Sequence, residues 1–295
     1  MIEINTCPAC GNTDFKLFIT PIDFTVSGES FNLKKCSSCN LLVTTPQPDE
    51  QEIQKYYASP DYISHTDKPA SLIDTIYKLA RYFTLRSKVR LIKNLQPEIT
   101  NILDYGCGTG DFLRTCQRQG WTVAGIEPSD NARKIAATKL GSQSVQKTFV
   151  SQNPAYQAIT LWHVLEHVHN LSKLLDQLKA NLANDGRLII AVPNVNTWES
   201  IHYREHWAAY DVPRHLWHFN RNAMTTLFTK QKFTLTEIYP MKLDAYYVSL
   251  LSEKYKRGGT TISGMINALK NGSISNTKAK RTGEYSSLIY VFKHA

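Results

Sequence analysis

The sequence predicts an α/β fold built on a mostly parallel sheet and preceded by a small cysteine module. Three observations carry this reading. Apolar strand-like runs alternate with helical patterns beyond residue 96. A glycine-rich loop, Gly106-Cys-Gly-Thr-Gly110, follows the first of those runs. Four of the six cysteines form two Cys-x-x-Cys pairs near the start. The chain has 295 residues, room for one large domain and a small one. The expected division is 1–45 for the cysteine module, 46–95 for a linker and helical lead-in, and 96–295 for the main domain.

The elements follow in order. Phe15–Ile19 and Phe31–Leu33 have the alternation of short strands, and Thr44-Thr-Pro-Gln-Pro48 breaks it. A helix is expected from Pro48 to about Tyr57. Leu72, Ile73, Ile76, Leu79, Ala80 and Phe83 recur at helical spacing, and Leu85, Val89 and Ile92 continue that face. Strands are then expected at Ile102–Tyr105, Thr122–Ile126, Ala158–Leu161 and Arg187–Val192. Helices are expected at Asp111–Gln119, Asp130–Lys139 and Ser172–Leu182, with a turn at Asn184-Asp-Gly186. Residues 194–221 lack periodicity but are rich in Trp, His, Tyr and Arg, which marks a functional loop rather than a disordered one. A helix at Asn222–Gln231, a strand at Thr234–Tyr239, a helical stretch over 244–272 and a strand at Ser287–Phe292 complete the reading.

Hydrophobic residues make up 42% and charged residues 20% of the chain, as in globular proteins. No apolar run is long enough to cross a membrane. The first residues lack the basic and apolar regions of a secretory leader, so a cytoplasmic setting is expected. In that reducing setting paired cysteines bind metal before they form disulfides. The net charge is +9. Lys68–Lys93 holds seven Lys/Arg and one acid, and Lys242–Arg281 holds eight and two. Such faces suit anionic partners, or they are solvated helix surfaces.

Glycines in the loop let the backbone approach a ligand and adopt positive φ. A dinucleotide site needs Gly-x-Gly-x-x-Gly, whose third glycine would fall at Asp111. Here it falls at Gly110, and Asp111 would set a carboxylate against a pyrophosphate. S-adenosylmethionine carries no phosphate. It offers an ammonium group, for which Asp104 stands at the strand end, and a ribose diol, for which Glu127 ends the next strand.

The chain here resembles the class I S-adenosylmethionine-dependent methyltransferases. The resemblance rests on Leu103-Asp-Tyr-Gly-Cys-Gly-Thr-Gly110, Gly125-Ile-Glu-Pro-Ser129 and Ala158-Ile-Thr-Leu-Trp-His-Val-Leu-Glu-His-Val168, and covers roughly residues 65–295. It implies a Rossmann-like sheet whose last strand is antiparallel. It also implies that Asp104, Gly106, Cys107, Gly108 and Gly110 hold the methionine portion, and that Glu127, with Pro128 beside it, holds the ribose. Trp162 and His163 would line the pocket. The family's acid after the third strand is missing; Lys147-Thr-Phe149 stands there, leaving Phe149 or Thr148 for adenine.

Cys7-Pro-Ala-Cys10-Gly11 and Cys36-Ser-Ser-Cys39 read as a zinc knuckle pair. Four thiolates complete a tetrahedral Zn2+ and leave no open position, so the site is structural. A zinc ribbon before this fold resembles the sugar C-methyltransferases, other bacterial methyltransferases of glycan assembly, and some ribosomal RNA methyltransferases.

His163-Val-Leu-Glu-His167 matches the pattern of one zinc peptidase class, but the long helix which that chemistry needs is not evident. Quinone-biosynthesis O-methyltransferases resemble this segment and carry an acid-acid-histidine metal set. Glu166 and His167 match two of its members, and His163 replaces the first acid. The second cluster is Tyr210-Asp-Val-Pro-Arg-His-Leu-Trp-His-Phe-Asn220. Sugar C-methyltransferases have a tyrosine-glutamate-histidine motif in this region, of which only His215 is present. Histidine titrates near neutrality and suits general-base work on a hydroxyl. His215 is the candidate base or orienter, with His218 and Tyr210 in the catalytic set and Arg214 and His167 as substrate contacts. The expected acceptor is a small molecule, a sugar or another hydroxylated metabolite, and an anionic one would suit the basic faces. Two alternatives are an RNA methyltransferase using the zinc module and basic faces, and an inactive cofactor-binding scaffold. No Asn/Asp-Pro-Pro-Tyr/Phe nucleobase motif supports the RNA reading.

Overall fold

The computed structural model describes residues 1–58, 72–149 and 155–295, with the backbone alone for residues 72–82. Lys68 and the side chains of Leu72, Ile73, Ile76, Leu79 and Ala80 therefore lie outside what is described. Eleven strands are described: β1 Phe15–Ile19, β2 Leu33–Cys36, β3 Leu42–Thr44, β4 Asn101–Tyr105, β5 Thr122–Ile126, β6 Val145–Gln146, β7 Tyr156–Trp162, β8 Leu182–Pro193, β9 Trp217–His218, β10 Phe233–Pro240 and β11 Ser287–His294. The α-helices are α1 Leu72–Leu95, α2 Asp111–Gln117, α3 Asp130–Leu140, α4 Leu171–Asn181, α5 Trp198–Tyr203, α6 Arg221–Lys230, α7 Asp244–Arg257 and α8 Ile262–Thr282.

The chain divides into two compact units, each discontinuous in sequence. One comprises Met1–His65, Leu165–Ser172 and Ala191–Tyr290; the other comprises Thr66–Val164, Lys173–Ile190 and Val291–Ala295. These units differ from the boundaries expected at 45 and 95. The reason is strand pairing: β3 runs antiparallel to β9, with Leu42 opposite His218, so the cysteine segment builds one sheet with the late loop.

The main sheet has the order β10-β11-β8-β7-β4-β5-β6 and is mostly parallel, with the last strand antiparallel. β4 pairs in parallel with β5, from Asn101 opposite Thr122 to Tyr105 opposite Ile126, and with β7 on its other side. Parallel strands with helical crossovers are covered on both faces and read as apolar runs. Ile102, Ala158, Ile159, Leu161, Leu188, Ile189 and Ile190 accordingly have no exposed surface. Helices α2 and α4 add Leu113, Leu175 and Leu178 to this core. Ser129 caps α3 by accepting from Ala132 N.

Several expectations change. The helix expected from Pro48 is a 3-10 helix over Glu52–Tyr57, started by Asp49, whose carboxylate accepts from Gln51 N and Glu52 N. The turn expected at Asn184–Gly186 lies inside β8, because pairing overrides local turn preference. His294 Nε2 reaches Leu182 O at the start of that strand, at 3.1 Å. The helical stretch over 244–272 is two helices, broken where Gly258 takes φ 70°. Thr261 then caps α8 through Gly264 N. α7 and α8 pack closely through small residues, and a Cβ on Gly272 would come within 3.0 Å of Tyr246 Cα.

The other unit holds the antiparallel sheet β1-β2-β3-β9. Its interior includes Leu33, Leu41, Leu42, Val43 and Trp207. Residues 194–221, expected to be irregular, form α5, two short 3-10 turns and β9.

Candidate cofactor site, histidine cluster and metal centre

The carboxyl ends of β4, β5 and β7 carry the glycine loop and its acids. Gly106 N and Cys107 N both donate to Ile126 O, at 2.7 and 3.0 Å, which folds the loop back across β5. Gly106 has φ 77°, and a Cβ there would lie 2.5 Å from Val164 Cγ2. Gly108 has φ 53°, and among the described residues nothing lies within 4 Å of where its Cβ would stand, which leaves its backbone open to a ligand. Glu127 is buried, and each of its oxygens takes a backbone donor: Gly108 N on Oε2 and Ser129 N on Oε1, both at 2.8 Å.

Asp104 is 3% exposed and accepts a 2.6 Å hydrogen bond from Thr160 Oγ1. Burial pushes its carboxyl up to about 7, while Thr160 and the charge of Lys88 pull the other way. The Lys88 ammonium stands 4.1 Å over the Trp162 ring, whose other neighbour is the edge of Phe112. Trp162 Nε1 is buried without a hydrogen-bond partner among the described residues. His163 sits in the left-handed region at φ 57°, an uncommon conformation for a non-glycine residue. Phe149 stacks on Tyr105 at 5.6 Å, whereas Pro128 is exposed. Asp111 is neutralised by Lys139 at 2.6 Å. Lys88 and Thr160 were not singled out in the sequence. One lysine among seven basic residues carries no local signal, and a threonine inside an apolar strand reads as filler.

The histidine cluster belongs to the other unit. Glu166, His167 and His215 bring one ligand atom each within 4.8 Å of one another. His167 Nδ1 lies 3.0 Å from Arg214 O and 3.1 Å from the Tyr57 hydroxyl. His215 Nδ1 lies 2.9 Å from Ala209 O. A carbonyl only accepts, so both rings carry a proton on Nδ1. His215 Nε2 is 3.9 Å from Asp211 Oδ2. Burial, then the charge of His215, pulls His167 down to about 4, so it is neutral near pH 7. Burial opposes ionisation of Asp211, but the charges of His215 and Arg214 outweigh it and hold that carboxyl below its usual range.

Three residues expected in the site are almost fully buried. Arg214, expected as a substrate contact, is 1% exposed. Its guanidinium donates to Asp23 at 2.8 Å, to Asp211 at 2.7 Å and to Tyr56 O at 2.9 Å. His218, expected in the catalytic set, is 3% exposed, lies in β9 and contacts Thr44 Oγ1 at 3.0 Å, and burial holds its pKa well below the usual value. Tyr210 is 2% exposed, its ring set edge-on against Trp207 and His218. Asp211 and Asp23 were not singled out in the sequence. Asp211 had a signal in its i,i+4 spacing to His215; Asp23 had none.

Asp23 also organises its own loop, accepting from Thr25 N, Val26 N and Ser27 N. That loop lies between β1 and β2, the strands leading to Cys36. The four cysteines form one cluster, with Cys7 and Cys39 sulfurs 3.5 Å apart and Cys10 and Cys36 likewise. All four sulfurs lie within 4.8 Å of one another and none is in a disulfide. The edge of a Zn–S4 tetrahedron is about 3.8 Å, so the cluster fits a structural zinc. The H-x-x-E-H segment forms only a 3-10 turn at Leu165–His167, which leaves no helix for peptidase-type zinc binding.

A parallel sheet with a glycine loop and acids at the ends of its first two strands defines a nucleotide-cofactor fold. Residues 77–238, more than half of the chain, match the family described as methyltransferase domain, and the chain belongs to that family. An uncharacterized methyltransferase of Alkaliphilus oremlandii (strain OhILAs) is 34% identical over 119 residues, 37% of this chain and 51% of that protein. A ubiquinone biosynthesis O-methyltransferase of Actinobacillus pleuropneumoniae serotype 5b (strain L20) is 34% identical over 106 residues, 32% of this chain and 45% of its own. The chain thus spans about half or less of the length of the curated relatives it matches. The magnesium protoporphyrin IX methyltransferase of Synechocystis PCC 6803, solved with bound SAH, shares the fold at a TM-score of 0.54 and 13% identity, over 84% of this chain and 100% of that one.

Replacing Asp23 with Ala removes one of two carboxylates from a fully buried guanidinium. The expected cost is about 3 kcal/mol or more in urea unfolding. A loss within the error of the wild-type value would show that Arg214 does not depend on Asp23.

Proposed function

We propose that the protein transfers the methyl group of S-adenosylmethionine to a hydroxyl of a small polar metabolite, a sugar being the foremost class. The observation that carries this reading is the pairing of Glu127 and Asp104 around the glycine loop. Glu127 is fixed by Gly108 N and Ser129 N with lone pairs left for a ribose diol. Asp104 is a buried acid suited to an ammonium group, and Lys88 offers a cation for the cofactor carboxylate. Among the described residues Gly108 has an open side with room for the methionine chain, and Trp162 Nε1 is a buried donor with no acceptor. Phe149 offers a flat face for adenine, with Tyr105 stacked behind it.

S-adenosylmethionine supplies a methyl group activated by its sulfonium. The acceptor oxygen forms the new bond to that carbon as the carbon–sulfur bond breaks, so catalysis needs alignment and removal of one proton. His215 Nε2 takes the proton. Its Nδ1–H is held by Ala209 O, and Asp211 stabilises the imidazolium. His167, neutral and aligned by Arg214 O, orients the acceptor. The ubiquinone-related relative is named for O-methylation, which agrees with a hydroxyl acceptor. The four cysteines hold zinc as a structural ion in this reading.

One observation favours a second reading of the same cluster. Glu166, His167 and His215 bring together a two-histidine, one-carboxylate donor set. A divalent cation there would ionise the acceptor hydroxyl in place of a base. Metal analysis of the purified protein separates the readings. One zinc per chain is expected from the cysteines, and near-zero zinc would remove that site. A second equivalent lost on Glu166→Gln would establish the cation.

The pKa of Asp104 sets the pH dependence. Ionising it in the empty protein costs stability as pH rises through about 7, and a bound ammonium repays that cost. Cofactor affinity should therefore weaken as pH falls below 7, approaching about tenfold per pH unit, and level off above it. Titration calorimetry should show this in the wild type and a flat, weaker profile in Asp104→Asn. Equal wild-type affinities at about pH 6 and about pH 8 would exclude the assignment. His215→Gln should leave cofactor affinity intact and slow label transfer from S-adenosylmethionine into a small-metabolite extract by about 10²- to 10⁴-fold. A near-normal rate would end its role as base.

A further inference from the structure

The α7–α8 hairpin reverses the usual placement of side chains. α8 turns its small residues inward: Gly264, Ala268, Gly272, Ser275 and Ala279 are buried. Its large apolar residues point outward: Ile262 is 80% exposed, Ile266 62% and Leu269 62%. Spacings of four and three put these three on one helix face. Lys280 continues that face toward the C-terminus, with Lys270 and Arg281 beside it, all exposed. Burial in the protein explains none of these positions, because the interior side of α8 is already filled by close contact with α7.

The charge says what covers this face. Lys242–Arg281 holds eight basic and two acidic residues, a net +6 within a chain of net +9. One of the two acids, Glu253, is 3% exposed and held by Arg257 and Asn271, so it does little to soften the outer field. A second copy of the chain would set +6 against +6. A polynucleotide would use the charge but leave three large apolar side chains in water. An anionic lipid surface satisfies both, taking Ile262, Ile266 and Leu269 into its acyl boundary and the basic groups among its head groups. No described helix is long and apolar enough to cross a membrane, so α8 would lie on the surface.

We propose that the outer face of α8 docks the protein onto an anionic membrane surface. This does not depend on the chemistry assigned above. The surface and the reaction are separately testable.

The test is flotation of the full chain with vesicles of phosphatidylcholine alone or mixed equally with phosphatidylglycerol. Binding is expected to the mixed vesicles only and to weaken with salt. Ile266→Asp with Leu269→Asp should reduce affinity about tenfold or more, and Lys270→Gln and Lys280→Gln about fivefold each. These side chains are exposed, so far-ultraviolet circular dichroism and S-adenosylmethionine binding should be unchanged in every variant. Three results would overturn the proposal. One is absence of wild-type binding to mixed vesicles at low salt; another is undiminished binding by the double aspartate variant. The third is a dimer or an RNA homopolymer complex that the double variant abolishes while vesicle binding persists.

Discussion

Much of the histidine-bearing unit hangs on a single buried cation. Arg214 has almost no exposed surface, and a guanidinium in that position must be matched by charge and by acceptors. Asp23 arrives from the cysteine segment, Asp211 from the late loop, and Tyr56 O from the 3-10 helix between them. Burial opposes the charge of Arg214, and the two carboxylates restore it and push its pKa above the ordinary value. Three distant stretches of sequence are thereby fixed in one place. The same Asp211 then faces His215, so the group that balances Arg214 also sets the electrostatics of the candidate base.

The strand-end site solves a different problem. A parallel sheet leaves loops at the carboxyl ends of its strands, and here those loops carry acids that the interior only partly satisfies. Asp104 has one hydroxyl donor and a nearby lysine, and burial still raises it to about 7. A stable fold gains nothing from such a group unless a cationic ligand completes it. Glu127, by contrast, is held by two backbone donors and acts as a fixed point. One acid is poised and the other preset, which suits a ligand with a cation at one end and a diol at the other.

Local chemistry was legible in the sequence, and long-range placement was not. The alternation from Asn101 to Val192, the glycine loop and the two cysteine pairs each depend on neighbours a few residues apart. Their elements appear within a few residues of where the pattern puts them. The break at Gly258 was readable in principle, since two adjacent glycines interrupt a helical pattern. The pairing of β3 with β9 joins residues about 175 positions apart, and no periodicity announces it. The same limit explains Arg214. An arginine beside a histidine in an aromatic loop reads as a substrate contact until Asp23 is seen to bury it. His215 and Glu127 stand out in the sequence because residue type and strand position alone suggest a role for each.

We propose that the acids at the ends of β4 and β5 form a methyl-donor site. A crystal structure of the protein with S-adenosylhomocysteine tests it most directly. The ribose hydroxyls should rest on Glu127, the amino group against Asp104, and Trp162 should form a wall of the pocket. Density for the ligand elsewhere, or a strand-end site that stays empty at saturating ligand, would contradict it.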